Sequence, residues 1–184
     1  MHGGSDGITA QQVAAHADYL WRPTRRWEDD DRLGVARQLG AVYLRVDSIE
    51  QVIRESGVVG QSLSRNDAGY RAGYAVAEDN LRLGQTVIAD SVNPIQLTRD
   101  AWIGVANRAQ VSAIEIEVTC SDFEQHQRRV ETRVSDIGGL RLPSWREVVS
   151  REYEPWDRPH ILIDTTTHSV AENVKRIRGA LCGR

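Results

Sequence analysis

The sequence predicts an α/β fold in which one parallel β-sheet carries helices on both faces. Short apolar runs alternate with helical stretches of about ten to fifteen residues, an order typical of parallel sheets. Three of these runs end at an aspartate, as strands often do at the edge of a sheet where ligands bind. The 184 residues, 40% of them hydrophobic, suffice for one domain with its own core, or for one domain with a small lid.

The predicted elements follow one another in order along the chain. Strand-like runs are expected at 41–46, 85–90, 112–121 and 160–167. Helices are expected at 48–56, 69–84, 98–110, 122–136 and 169–181, and a short helix flanked by two loops within 137–159. Glycines at 40, 57 and 84 mark three helix ends.

The first 35 residues differ from the rest in composition and in hydrophobic periodicity. Residues 1–16 are polar and glycine-rich without a sustained period, which predicts a disordered leader. Residues 18–35 combine two tryptophans, Pro23 and an acidic run from Glu28 to Asp31, a pattern typical of a solvated face or a flexible arm. We therefore expect an aberrant or disordered segment at 1–35, in place of a first strand and loop, and a folded domain at 36–184.

Composition narrows the possible partners. A net charge of −3 and an isoelectric point near 6.0 give no support for a nucleic-acid or membrane-surface partner. Cys120 and Cys182 lie far apart and predict free thiols in a reducing cytosol, so a cytoplasmic protein is expected. His126, His160 and His168 show no metal-ligand spacing. The oligomeric state is left open.

Four polar residues mark the carboxyl ends of the predicted strands: Asp47, Asp90, Ser121 and Asp164. In parallel sheets these ends meet at one edge, where ligands bind, so the convergence predicts a functional site. Position alone leaves two interpretations of Asp47 evenly balanced. It is either a functional carboxylate or the N-cap of the helix that follows.

The segments YLRVDSIE, AEDNLRLGQTVIADSVNP, TRDAW, IEVTCSD and RRVETR, in this order and spacing, resemble one branch of the P-loop kinase-like ATPases. This branch, labelled AAA-family ATPase or predicted kinase, is similar to the chloramphenicol phosphotransferase, gluconate kinase and zeta-toxin group. The resemblance covers about four-fifths of the chain, from Ala36 to the final helix. It implies ATP and Mg²⁺ as cofactors and a small molecule with a hydroxyl group as the phosphate acceptor.

The resemblance also assigns roles to individual residues. Asp47 matches the catalytic acid that accepts or orients the proton of the acceptor hydroxyl and so also contacts the substrate. Asp90 matches the acid that assists Mg²⁺ through its water shell. Asn93 either contacts the substrate or, as a turn residue, only shapes the loop.

A lid over the nucleotide phosphates is expected at about 129–158. Arg129 and Arg133, four residues apart, are expected to share a helix face and to supply charge during phosphoryl transfer. The alternative is a solvated face beside Glu131. Arg141, in the mobile part of the lid, is a further candidate for binding the nucleotide.

The phosphate-binding loop that such a kinase needs, GxxxxGK[ST], is absent, and the only lysine is Lys175. The genetic code offers an explanation. If the codons are read one base later, Trp27–Glu28 can give only Gly, Glu28–Asp29 only Lys or Arg, and Asp29–Asp30 only Thr or Met. With allowed choices elsewhere, the shifted frame over 16–35 reads MLIIFGGLPGGGKTTIASAL and continues into Ala36. A frame-shift is the preferred hypothesis, and a genuinely divergent N-terminus is the alternative.

Three functional hypotheses follow. The first is a kinase-like P-loop protein that phosphorylates a small-molecule hydroxyl, with nucleotide binding impaired or lost in the sequence as written. The second is a non-catalytic binding module on the same fold. The third is an ATPase that uses hydrolysis as a switch and has no small-molecule acceptor.

Overall fold

The computed structural model describes residues 12–18, 28–57 and 67–182. These residues form five strands and seven helices, which alternate along most of the chain. In chain order they are β1 (Gln12–Asp18), α1 (Glu28–Leu39), β2 (Val42–Arg45), α2 (Val46–Ser56), α3 (Ala68–Arg82), β3 (Val87–Ser91), α4 (Gln96–Ala109), β4 (Ser112–Thr119), α5 (Phe123–Thr132), α6 (Trp145–Val149), β5 (Ile161–Asp164) and α7 (Val170–Cys182).

All five strands are parallel and lie in the order β2-β3-β1-β4-β5. The predicted α/β class is therefore confirmed, together with the four strands and six helices that were expected after residue 40. Every residue of β3 is buried, as expected for a strand covered by helices on both faces.

Each face of the sheet has its own hydrophobic core. Side chains of α3 and α4, among them Leu81 and Trp102, pack with Val87 and Ala89 on one face. Side chains of α1 and α7 pack with the other face, where Ile88 and the alternate residues of β4 lie. Because strand side chains alternate between faces, neighbouring residues of one strand serve different cores.

The expectation for the N-terminal segment is wrong for residues 12–18. They form β1, which pairs in parallel with β3 on one side and β4 on the other, so a regular strand occupies the centre of the sheet. Without it, the facing edges of β3 and β4 would leave their backbone hydrogen-bonding groups unpaired. α1 begins at Glu28, so the predicted boundary at residue 36 falls inside a helix. Residues 1–11 and 19–27 lie outside the described part of the chain.

The region of the predicted lid is mostly irregular. α5 ends at Thr132, four residues earlier than expected, because Arg133 takes an extended conformation (φ −67°, ψ 148°). Residues 133–144 contain no helix or strand and lead into the short helix α6. A capping box in which Ser144 and Glu147 exchange hydrogen bonds starts α6.

Candidate functional site

The carboxyl ends of β2 and β3 bring two of the predicted acids to the same edge of the sheet. Arg45, the last residue of β2, lies directly opposite Asp90 of β3 in the strand register. Asp47 follows two residues later. The geometry therefore places Asp47 and Asp90 at adjoining strand ends, as the sequence predicted.

Asp47 lies in the first turn of α2, which starts directly from β2 without a loop. The N-cap position is Arg45 (φ −105°, ψ 109°), whose side chain makes no capping hydrogen bond, so Asp47 lies inside the first turn of α2 and not at its N-cap position. A carboxylate in the first turn is stabilised by the positive end of the helix dipole. Its catalytic and substrate-binding roles stay predictions.

Asp90 is 4% exposed and points to the α1 and α7 face of the sheet, since Ile88, two residues before it, belongs to that core. The Tyr43 hydroxyl of β2 donates a short hydrogen bond to Asp90 Oδ2. This bond fixes the carboxylate on the face from which α1 leaves the sheet. No group of three or more potential metal ligands occurs within the ranges that the structure describes. Coordination through water by Asp90 stays a prediction.

Asn93 follows β3 in a turn and is 1% exposed. Its amide nitrogen donates to Ser91 Oγ over 2.9 Å, and the same hydroxyl accepts a hydrogen bond of 3.1 Å from the indole nitrogen of Trp102. This geometry is that of a residue that shapes the turn, the alternative given above. A contact between Asn93 and a substrate stays a prediction.

Arg99 of α4 is a buried residue at this edge that the sequence did not single out. It is 1% exposed, and its guanidinium group donates to the backbone carbonyls of Asn93 and Pro94 in the turn after β3 and of Glu154 and Pro155 after α6. It therefore ties the two segments together. A buried arginine beside carbonyl groups leaves no periodic signal in a sequence.

The two arginines expected on one helix face separate in the structure. Arg129 is in α5, and its Nη1 donates to Thr165 Oγ1 over 3.3 Å, at the carboxyl end of β5. Arg133 is the C-cap, and its Nη2 donates to the carbonyl of Pro143 over 2.8 Å. The Arg133 amide still closes the last turn onto the Arg129 carbonyl over 3.1 Å, but the two side chains bind different segments. Their roles as lid charges stay predictions.

Arg141 has a side chain that is 79% exposed and forms an ion pair of 2.7 Å with Glu147 at the start of α6. The pKa of Glu147 is lowered to about 2, first by the hydrogen bond from the Ser144 backbone and then by the hydrogen bond from Arg141. Arg141 thus carries its charge on the surface of the predicted lid. Nucleotide binding by Arg141 stays a prediction.

Polar residues at the carboxyl ends of β4 and β5 form a second hydrogen-bonded cluster. Ser121 donates its backbone N–H to Asp164 Oδ1 over 3.2 Å, and its hydroxyl lies 2.9 Å from that of Thr166. Burial acts to raise the pKa of Asp164, but the hydrogen bonds from Ser121 and Thr166 outweigh it and hold that pKa below its ordinary value. Asp164 therefore stays ionised and acts as a fixed acceptor at this end of the site.

The start of α1 is the place where this topology would hold a phosphate group, because the N-terminus of a helix that follows the central strand carries a positive partial charge. In this chain α1 opens with four consecutive acidic residues, Glu28 to Asp31. Four like charges outweigh a helix-end charge of roughly +0.5. The sequence at this helix end has neither the lysine nor the Ser/Thr of a phosphate-binding loop. In the shifted frame the expected loop spans positions 22–29, and of these 22–27 lie outside the described residues.

No helix in the described ranges has both the length and the apolar character needed to cross a membrane.

Neither a family model nor a curated protein matches this sequence. Solved structures do match its fold at low sequence identity. The APS kinase CysC of Mycobacterium tuberculosis, in complex with AMPPNP and APS, is 15% identical with a TM-score of 0.65, over 95% of this chain and 98% of that chain. Kti12 of Chaetomium thermophilum, in complex with ADP-AlF3, is 20% identical with a TM-score of 0.62, over 93% and 100%.

A gluconokinase from Sinorhizobium meliloti 1021 is 13% identical with a TM-score of 0.57, over 95% of this chain and 93% of that chain. These proteins share the layered parallel sheet described above, and each alignment spans almost the whole of both chains. The chain therefore has the fold of the P-loop kinases.

Proposed function

We propose that this chain is a form of a small-molecule kinase in which the acceptor side of the site is kept and the phosphate-binding side is lost. The observation that carries the proposal is the position of Asp47 and Asp90 at the adjoining ends of β2 and β3 within a sheet of kinase topology. The solved kinases with this fold include a gluconokinase and an APS kinase, which supports an acceptor of small size.

On the acceptor side, Asp47 orients a hydroxyl group and accepts its proton, since its carboxylate lies half-buried in the first turn of α2 at the end of β2. In a chain that has the phosphate-binding loop, Asp90 assists Mg²⁺ through its water shell, and the hydrogen bond from Tyr43 holds the carboxylate in place. Arg129, Arg133 and Arg141 supply lid charges around the phosphates there. Membership of the branch labelled AAA-family ATPase is part of the proposal.

A binding module without catalysis is the second candidate. The acidic start of α1 favours it, because the sequence as written places carboxylates where a phosphate cradle is expected. In that case the edge of the sheet at Asp47 and Asp90 binds a small molecule and nothing is transferred.

Calorimetry with Mg-ATP on two matched chains tests the proposal. The written chain is expected to give no binding heat. A chain in which residues 16–35 are replaced by MLIIFGGLPGGGKTTIASAL is expected to bind at least a hundredfold more tightly, about 3 kcal/mol of binding free energy. The matched control is the same repaired chain with Glu28 retained, which keeps the glycines but lacks the loop lysine and is expected to lose most of the gain.

Two results would contradict this account. ATP turnover by the written chain would show that the phosphate site is intact after all. A folded repaired chain without nucleotide binding would show that the body is not a kinase. In a repaired chain that binds, Asp47→Asn separates kinase from ATPase, since only acceptor-dependent turnover requires the base. The nucleotide sequence of codons 16–36 decides the frame-shift hypothesis independently.

A further inference from the structure

The irregular segment between α5 and α6, residues 133–144, lies against the corner where β2 runs into α2; we call these residues the strap. It joins the corner through an ion pair and through a close backbone approach. Both contacts lie beside the residues at the acceptor end of the site.

The ion pair joins Arg45 to Asp136 across 91 positions of sequence. Both ends of the guanidinium fork donate, Nη1 to Oδ2 over 2.5 Å and Nη2 to Oδ1 over 2.8 Å. The Arg45 side chain is only 11% exposed, whereas that of Asp136 is 45% exposed. A two-point bond of this kind fixes both position and orientation. Because Arg45 lies opposite Asp90, the pair lies next to the predicted site.

The backbone approach is at Gly139, which has a φ of +69°. A Cβ at this position would lie 2.9 Å from Gln51 Nε2 and 2.9 Å from Glu55 Oε1, both on α2. The left-handed conformation favours glycine at this position. The strap backbone lies against the ends of these two α2 side chains.

Apolar contacts contribute little to holding the strap. Val134 is 65% exposed, and Ile137 and Leu140 are only partly buried. The strap has its own internal hydrogen bonds, from the Ile137 amide to Ser135 Oγ over 3.0 Å and from the Leu140 amide to the Ile137 carbonyl over 3.3 Å. A segment with so little buried apolar surface opens at low cost unless a polar contact restrains it.

We propose that the Arg45–Asp136 ion pair is a latch that keeps the strap closed over the corner of β2 and α2 in the absence of any ligand. The strap moves away from the corner only after the pair breaks. The latch goes beyond the proposed kinase function and does not depend on it, since no nucleotide takes part.

Hydrogen exchange of the unliganded full-length chain tests the latch. In Asp136→Asn, the amides of Ile137 and Leu140 are expected to exchange about threefold to tenfold faster than in the unaltered chain, the range for losing a partly exposed two-point ion pair. The reversed pair, Arg45→Asp with Asp136→Arg, is expected to recover part of the protection that each single change removes.

The matched control is Arg108→Gln, which breaks another ion pair with one exposed partner, to Glu78, far from the strap. It is expected to leave exchange at Ile137 and Leu140 unchanged. Raising the salt concentration provides a test without mutation, because it screens the pair and speeds exchange in the unaltered chain but not in Asp136→Asn. Equal exchange in Asp136→Asn and the unaltered chain, or equal salt dependence, overturns the latch.

Discussion

Arg99 joins the turn after β3 to the segment after α6, and its removal is the sharpest test of how this edge of the sheet is held. Its Nε donates to the Asn93 carbonyl over 3.0 Å and its Nη2 to the Pro94 carbonyl over 3.0 Å. Its terminal nitrogens also donate to the carbonyls of Glu154 and Pro155. Arg99→Met removes all four donors while keeping a side chain of similar length.

The size of the effect follows from these contacts. Four carbonyl oxygens lose a donor, at about 1 kcal/mol each, the low end of the range because water can reach the partly buried ones. The guanidinium also lies 4.5 Å from the centre of the Trp156 ring, a cation–π contact of about 0.5–1 kcal/mol. Met avoids the desolvation of a buried charge, which offsets part of this loss. We expect the free energy of unfolding to fall by about 3 kcal/mol.

Urea unfolding followed by circular dichroism measures this change by linear extrapolation. Arg108→Gln is the control on the same helix, because Arg108 is 54% exposed and pairs with Glu78, so its loss is expected to cost below about 1 kcal/mol. Arg99→Lys keeps the charge but not the fork and is expected to fall between the two. If Arg99→Met destabilises the protein no more than Arg108→Gln, the four hydrogen bonds do not hold this edge.

Two further predictions concern other parts of the molecule. Gly69→Ala is expected to lower the free energy of unfolding by about 1–3 kcal/mol, because the new Cβ would lie 2.1 Å from a side-chain carbon of α2. The matched control is Gly104→Ala, whose Cβ would meet only the end of a flexible arginine side chain at 3.2 Å. This change is expected to stabilise α4 by about 0.5–1 kcal/mol. Equal effects of the two changes in urea unfolding would contradict this. Arg141→Gln is expected to raise the pKa of Glu147 from about 2 part of the way to its ordinary 4.5, since the bond from the Ser144 backbone remains. Because the folded pKa is depressed, the contribution of this carboxylate to stability is present above pH 4.5 and is lost as the pH falls toward 2. Carboxyl NMR titration measures the shift, and an unchanged pKa would show that Arg141 has no part in it.

The strands and helices after residue 40 could be predicted because the pattern of apolar residues within each element indicates it. In β4, Ile114, Ile116 and Val118 alternate along the chain and are between 3% and 8% exposed, all in the core formed with α1 and α7. Strand alternation and helical spacing report which face of an element is buried, and that is sufficient to place β2 to β5 and the helices between them. The convergence of Asp47 and Asp90 follows from the same reasoning.

The opposite face of β4 could not be predicted in this way. Glu115 and Glu117 alternate with the isoleucines and would be expected in solvent, yet they are covered by the chain that leads into β5. Arg158 binds both carboxylate oxygens of Glu115, and His160 Nε2 lies 3.0 Å from Glu117 Oε2. These partners lie more than forty positions away in sequence. Local periodicity carries no information about such pairs.

The central strand shows how topology can override a weak local signal. The facing edges of β3 and β4 are held apart by the rest of the fold, and a strand between them satisfies both rows of backbone groups. Only backbone hydrogen bonds and a fit between two strands are needed for that position, so the segment Gln12–Asp18 can fill it without a strongly apolar sequence. A phosphate-binding loop depends more strongly on sequence than a central strand does, because it requires particular side chains and glycines at the start of α1. The same N-terminal stretch can therefore complete the fold and still fail to supply the site, which is why the kinase fold of this chain and its ability to bind nucleotide must be tested separately.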